Sequence, residues 1–314
     1  MDQVATRDAY GQALRRLGEK YQDVVVLDAD LSKSTKTVDF ARAFPDRFFD
    51  MGIAEQNMMA VAAGLAASNK VVFASSFAVF ATGRAFEQIR NSVAHARLNV
   101  KICATHAGIT VGADGSSHQS IEDIAIMRAI PNLKVMVPAD GPSTAWAVEA
   151  IYHEPGPVYL RLGRAEVPLI YDDKREFRIG RAIRHGQGKD VGILACGIMV
   201  QEALQAAARL QELGIQATVV DVHTIKPLDE ETILDVARQT GCLVTVEEHS
   251  VIGGLGGAVS ELVSSQYPVP VVRMGIKDVF GQSGSPRELL EFYGLTADNI
   301  VKVAQISMSK KAYK

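Results

Sequence analysis

A chain of 314 residues has room for two domains of ordinary size, and 47% hydrophobic with 22% charged residues is a globular composition, not a disordered one. The formal net charge of -3 argues against nucleic acid or an anionic membrane as the main partner. No run approaches the ~18 apolar residues of a membrane span, and the opening MDQVATRDAY has neither the basic nor the apolar stretch of a secretory signal.

From the N-terminus the pattern alternates between helix and strand. After Thr6, read as an N-cap, Ala9, Tyr10, Ala13, Leu14 and Leu17 recur at helical spacing. Val24-Val25-Val26-Leu27 is an unbroken run suited to a strand covered on both faces. Further strands are expected at 71–74, 100–104, 135–137 and 158–162, with helices near 55–67, 83–97, 119–130 and 143–153. From 165 to 189 the sequence turns polar, through Asp172-Asp173-Lys174-Arg175-Glu176 to Gly186 and Gly188, which reads as a linker with a short edge strand around 177–183. Alternation then resumes with strands at 191–195, 217–221, 243–246 and 269–274. Helices are expected near 198–213, 229–240, 254–265, 286–293 and 297–306, before a frayed tail at 309–314. The fold class is α/β: two open, mostly parallel-sheet domains joined at about residue 180, each burying a core of its own. Cys103, Cys196 and Cys242 are odd in number, far apart and set in apolar runs, which reads as buried reduced thiols of a cytoplasmic protein.

Ligands of open parallel sheets bind beyond the carboxyl ends of the strands, and three segments there are rich in reactive or positioning groups. In Asp50-Met51-Gly52-Ile53-Ala54-Glu55-Gln56-Asn57, Glu55 opens an apolar helix. It either answers the helix dipole or is held to one ligand atom. Phe77 and Phe80 follow a strand at a spacing of three, as core residues or as a wall for a flat ring. The segment from Thr105 to Gln119 holds His106, Asp114, His118 and three glycines, with few large apolar side chains. Two histidines twelve apart lack a third ligand of convincing spacing, so proton handling and phosphate or hydroxyl contacts are favoured over metal. Gly253-Gly254-Leu255-Gly256-Gly257 raises a nucleotide-binding electron-transfer subunit as an alternative, but it lacks the full G-x-G-x-x-G register.

FDMGIAEQNM, FAVFATG and THAGITVGADGSSHQSIED, followed by AIPNLKVMVPAD, VYLRLGR and FGQSGSPRELLEFYGL, resemble the pyrimidine-binding and C-terminal domains of transketolases over essentially the whole chain. The resemblance implies a pyrimidine-binding domain at 1–170, a linker at 171–188 and a C-terminal domain at 189–314. It implies thiamine diphosphate as cofactor, with Glu55 matching the glutamate that hydrogen-bonds the aminopyrimidine and promotes its reactive tautomer. Phe77 and Phe80 match the aromatic wall, with Gly83 where a third aromatic often stands, and Asp30 matches a carboxylate near the neighbouring subunit's cofactor. His106, Asp114 and His118 match the substrate channel, His118 at the reacting oxygen; Arg7, Ser34, His106 and Arg164 match the groups that hold a sugar phosphate. The family's GDG motif, which serves the diphosphate and its Mg2+ (or Ca2+), has no counterpart: the nearest string is Ala113-Asp114-Gly115. The resemblance is therefore to the C-terminal subunit of a split transketolase, in which a partner N-terminal subunit carries that motif and two copies of each chain form an α2β2 assembly. Ketol transfer between sugar phosphates, as in the pentose phosphate pathway, is the activity implied. GIAEQ also resembles deoxyxylulose-phosphate synthases, and the split resembles β subunits of 2-oxo-acid dehydrogenases; GADGSSHQSIED with the phosphosugar set favours transketolase.

Overall fold

The computed structural model describes residues 3–172 and 176–311; Asp173, Lys174 and Arg175 of the expected linker, and the last three residues of the expected tail, lie outside the described residues. Its strands in chain order are β1 (Gln3–Ala5), β2 (Val24–Asp28), β3 (Phe48–Asp50), β4 (Val71–Phe77), β5 (Val100–Thr105), β6 (Lys134–Met136) and β7 (Val158–Arg161). They continue as β8 (Glu166–Pro168), β9 (Ile183–His185), β10 (Val191–Ala195), β11 (Ala217–Asp221), β12 (Thr224–Lys226), β13 (Leu243–Ser250) and β14 (Val271–Ile276). A seven-stranded sheet runs β12-β6-β7-β5-β4-β2-β3 and a five-stranded sheet runs β14-β13-β10-β11-β9. Each is parallel except at one edge, where β12 and β9 run antiparallel. β1 and β8 form a separate antiparallel pair.

The valine run of β2 is buried throughout, and its residues alternate between two cores as strand geometry requires. Val25 and Leu27 join Met58, Met59 and Ala62 of the Glu55–Ala67 helix; Val24 and Val26 join Tyr10, Leu14 and Leu17 of the Thr6–Lys20 helix.

Four features depart from the sequence reading. The core does not divide at mid-chain: the cluster under the first sheet continues through Leu194, Val220, Val222, Leu243 and Leu255 of the C-terminal half. That half also supplies β12, so the first sheet is completed by a later part of the chain. Thr6 is not the N-cap; Ala5 is, with no side-chain bond. The Thr6 hydroxyl, within the helix, instead accepts the Gly163 N–H at 2.7 Å, so it serves a tertiary partner and not the helix's own amides. The helix expected over 83–97 is present as two wide π-type segments, Phe80–Arg84 and Gln88–Ala94, the kind of local expansion often found at functional sites.

All three cysteines are buried and free. No helix among the described residues is long and apolar enough to cross a membrane.

Candidate active site

Asp28 organises the loop after β2. Its carboxylate accepts the Leu31 N–H at 2.7 Å and the hydroxyls of Thr35 and Thr37 at 2.6 and 2.9 Å. This pins the short Ser32–Thr35 helix and turns the Ser34 carbonyl toward Arg7, whose Nη1 donates to it at 3.2 Å. Asp30, one turn earlier, sits at φ 61° with its backbone N–H donated to Asp50 and its side chain at the surface.

Arg7 is placed by the same contacts that displaced the cap. Its backbone N–H donates to the Gly163 carbonyl, and the Thr6 hydroxyl holds Gly163, so the start of the first helix is fastened beside Arg164. Arg7 and Arg164 then line one cavity of about 440 Å³ with Thr110, Val111, Gly112 and Ser285. Arg164 donates to the Val111 carbonyl and pairs with Asp114 at 3.3 Å. The Arg7 Nε is buried with no hydrogen-bond partner among the described residues. Burial, and secondarily Arg164, depress the Arg7 guanidinium pKa. Two guanidiniums facing one cavity, one with an unused buried donor, fit a tetrahedral dianion.

His106 lies at φ 57°, a backbone conformation rarely held by a non-glycine residue without a reason. Its ring stacks on Phe77 at 3.7 Å, and both nitrogens are engaged: Nε2 with Arg7 at 3.1 Å and Nδ1 with Thr105 Oγ1 at 2.9 Å. Arginine only donates, so Nε2 is the acceptor and the proton resides on Nδ1. Desolvation first, then Arg7 and Arg164, push the imidazole pKa down to about 3. His106 is thus a neutral base that orients Arg7. His118 is half-buried, accepts or donates at Nδ1 with Ser117 Oγ, and presents its ring edge-on to Phe80 at 5.4 Å and to Phe77 at 6.3 Å. Phe77 and Phe80 lie nearly parallel at 5.8 Å.

Glu55 is the first residue of its helix, and its side chain is only 5% exposed. One carboxylate oxygen meets Arg84 Nη1 at 3.3 Å, and the Arg84 guanidinium stands 4.5 Å over the Phe80 ring. With Ile53, Ala54, Gln56 and Asn57 these two line a second cavity of about 420 Å³. Arg84 follows Gly83 in the π-type turn, and the space beside Gly83, where a third aromatic was expected, is open. A buried carboxylate lining a cavity, with the Phe80 ring linked to it through Arg84, fits the aminopyrimidine end of thiamine diphosphate. From end to end the contacts form one line: Glu55, Arg84, Phe80, His118, Phe77, His106, Arg7.

The sequence reading did not single out Arg84, and it gave Asp28, in a candidate loop, no role of its own. Asp28 was visible as the last residue of a hydrophobic strand followed by a Ser/Thr-rich stretch; Arg84 left no such signal. The glycine-rich alternative is settled by geometry. The buried Glu247 carboxylate accepts the N–H groups of Leu255 and Gly256 at 2.7 and 2.8 Å, so the chain itself occupies the anion-binding end of that helix. A Cβ on Gly254 would lie 2.0 Å from a Glu247 oxygen, which explains the glycine. Among the described residues no group of three or more His, Cys, Asp or Glu is gathered to hold a metal.

Two family descriptions match the chain: the transketolase pyrimidine-binding domain over residues 2–169 and the transketolase C-terminal domain over residues 180–300. The chain is similar to a putative transketolase C-terminal section of Methanocaldococcus jannaschii, with 52% identity covering 97% of this chain and 96% of that one. It is similar to a 6-deoxy-6-sulfo-D-fructose transketolase subunit of Clostridium sp. (strain MSTE9), with 44% identity covering 98% and 96%. Among solved structures it is similar to a split gene transketolase described as an inactive beta4 tetramer, with 54% identity, a TM-score of 0.91, and coverage of 99% and 100%.

Proposed function

The chain belongs to the transketolase family, and from that footing we propose how its residues divide the work of the reaction. It is the C-terminal subunit of a split transketolase and acts together with a second, N-terminal polypeptide. The finer proposal is transfer of a two-carbon ketol unit from a ketose to an aldose, each ending in a tetrahedral anion. The partner supplies the GDG motif, the diphosphate site and the Mg2+ (or Ca2+), in an α2β2 assembly. A relative of the same length whose tetramer of this chain type is described as inactive supports the need for that partner. The sulfo-sugar named for another relative supports an anion-terminated sugar without fixing which one.

Thiamine diphosphate, when bound, supplies the carbon nucleophile and the sink for the electron pair of the broken carbon–carbon bond. Glu55 holds a proton at a ring nitrogen of the pyrimidine, and Phe77 and Phe80 orient the ring and exclude water. His118 moves a proton at the sugar oxygen of the reacting carbon, and Asp114 accepts a hydrogen bond from a neighbouring hydroxyl. Arg7 and Arg164 bind the terminal anion. The Ser34 carbonyl and the His106 Nε2 fix the first of these guanidiniums. Asp30 faces the neighbouring subunit's cofactor. The observation that supports this reading is the continuous line of contacts from Glu55 to Arg7, with a buried carboxylate at one end of a row of rings and a guanidinium at the other.

The test is reconstitution. The purified chain alone is expected to transfer no ketol units, and adding the N-terminal subunit with thiamine diphosphate and Mg2+ is expected to establish transfer between sugar phosphates. Turnover by the chain alone, or a reconstituted complex with no ketol transfer, contradicts the proposal.

A further inference from the structure

The segment bearing His106, Asp114 and His118 is held by both halves of the chain, and the C-terminal half grips it at two places. After His106 the backbone turns at Gly108, with φ 79°, and enters the 3-10 segment Ile109–Asp114. Thr110 donates its backbone N–H to Glu248 Oε1 at 2.6 Å, across 138 residues of sequence. Gly108 lies flat against the same carboxylate: a Cβ there would fall 2.3 to 2.6 Å from its carbon and oxygens. Two more bonds stitch the neighbourhood together. Ser250 donates its N–H to the Ile121 carbonyl at 2.7 Å, and the Glu248 carbonyl accepts from Arg161, which is itself locked in a buried ion pair with Asp123.

A second grip sits further along the segment. The Gln119 amide donates to the carbonyls of Ile109 and Gly112, both in the segment, and to that of Gln282, which belongs to the C-terminal half. Glu248 is buried, 4% exposed, near the carboxyl end of β13 and lines neither cavity described above. Burying a carboxylate is costly unless its oxygens are bonded. Here one oxygen is spent on the first turn of the segment that carries the proposed sugar contacts.

We propose that Glu248 is a positioning residue for the reaction: contributed by the C-terminal half, it fixes the Gly108–Asp114 turn and thereby the spacing of His106, Asp114 and His118. This gives that half a task in the chemistry that its fold alone does not state. The proposal rests on the site reading above, in which those three side chains meet the sugar. A displacement of about 1 Å in a reacting array costs up to about a hundredfold in rate, so the expected effect is large although Glu248 touches no substrate.

Glu248→Ala in the reconstituted complex is expected to lower kcat/KM for a phosphorylated sugar by about ten- to a hundredfold. The Kd for thiamine diphosphate, set at the Glu55 end, is expected to stay within about twofold of the parent. Glu248→Gln retains an oxygen that accepts the Thr110 N–H, and is expected to keep activity within about threefold of the parent. Hydrogen exchange over 107–118 in the isolated chain is expected to quicken about tenfold in Glu248→Ala relative to the rest of the sheet. That measurement needs neither partner nor sugar, so it stands or falls apart from the transketolase reading, whose own control is the parent complex. Should the alanine variant fail to fold, Glu248→Asp, one methylene shorter, is expected to show a smaller loss with the same pattern. Unchanged kcat/KM and exchange overturn the proposal. So does a loss of cofactor affinity in step with kcat/KM, which would mark Glu248 as a general support of the fold.

Discussion

Arg84 Nη1 stands 3.3 Å from the buried carboxylate of Glu55 while its own side chain remains more than half exposed. The pair is therefore asymmetric. Glu55 is fixed by its helix and its burial, whereas Arg84 reaches it from a π-type turn and is steadied by the Phe80 face. Of the two partners, Arg84 is the one with room to move when a ring enters the cavity they share.

Replacing Glu55 by Gln keeps an acceptor of the same size and removes the ability to exchange a proton. Turnover of the reconstituted complex is expected to fall by about two to four orders of magnitude, the range of lost acid–base function. Co-elution with the partner subunit is expected to persist. Steady-state rates and size-exclusion profiles check both, and near-parent turnover would remove Glu55 from the mechanism.

Arg164 faces the 440 Å³ cavity beside Arg7, with Asp114 as its only side-chain ion-pair partner among the described residues. An exposed pair of that kind is worth at most about 1 kcal/mol to stability, so Arg164→Ala is expected to leave the melting temperature nearly unchanged. A lost charge-assisted anion contact costs roughly 1.5–3 kcal/mol, one to two orders of magnitude in kcat/KM. That loss is expected for phosphorylated sugars and not for a short unphosphorylated donor. Equal losses for both substrate types would assign Arg164 to structure.

His106 offers a spectroscopic test. With its pKa pushed down to about 3 by burial and by Arg7 and Arg164, the ring is expected to stay neutral from pH 5 to 9, protonated on Nδ1 throughout. Long-range nitrogen–proton correlation spectra report both the tautomer and any titration. Because the folded value lies below the ordinary one, His106 contributes stability that is complete above about pH 6.5 and is lost as pH falls toward 3. An imidazolium signal near pH 6 would contradict the burial argument.

Asp221 tests the opposite sign. Burial pushes its carboxyl up to about 7, opposed by the Tyr171 hydroxyl that donates to it at 2.7 Å and reinforced by Asp140. The native state therefore holds this proton to higher pH than the unfolded chain does. Its contribution is fully present below about pH 4 and is lost as pH rises through about 7. Asp221→Asn carries no such dependence, so its stability relative to the parent is expected to rise between pH 5 and 8 by a few kcal/mol, on the order of 1.4 per unit crossed. Denaturant unfolding at the two pH values checks it, and a constant difference would refute it.

What the sequence made legible were features written in short stretches. The β2 valines announced a doubly covered strand, and Glu55 is the first residue of the helix it was expected to open. The rings of Phe77, Phe80, His106 and His118, which follow successive strands, meet in one row. What stayed hidden depends on groups far apart in the chain. Thr6 looked like a cap because its true partner, Gly163, is 157 positions away. Arg84 gave no sign because an extra-wide helical turn aims it, and periodicity of 3.6 cannot register such a turn. Glu248 was not singled out at all, since its partner is an amide 138 positions earlier.

The antiparallel strand β12, lent by the C-terminal half to the edge of the first sheet, ties the birth of the two halves together. Until Thr224–Lys226 has been made, β6 is a bare rim whose unpaired amides and carbonyls invite another chain to dock. A fragment cut near residue 180 would carry that rim permanently, along with an apolar face meant for Leu194, Val220 and Leu243. The chain is thus obliged to ripen as one piece: the part that bears the reactive groups stays adhesive until the part behind it arrives to seal it.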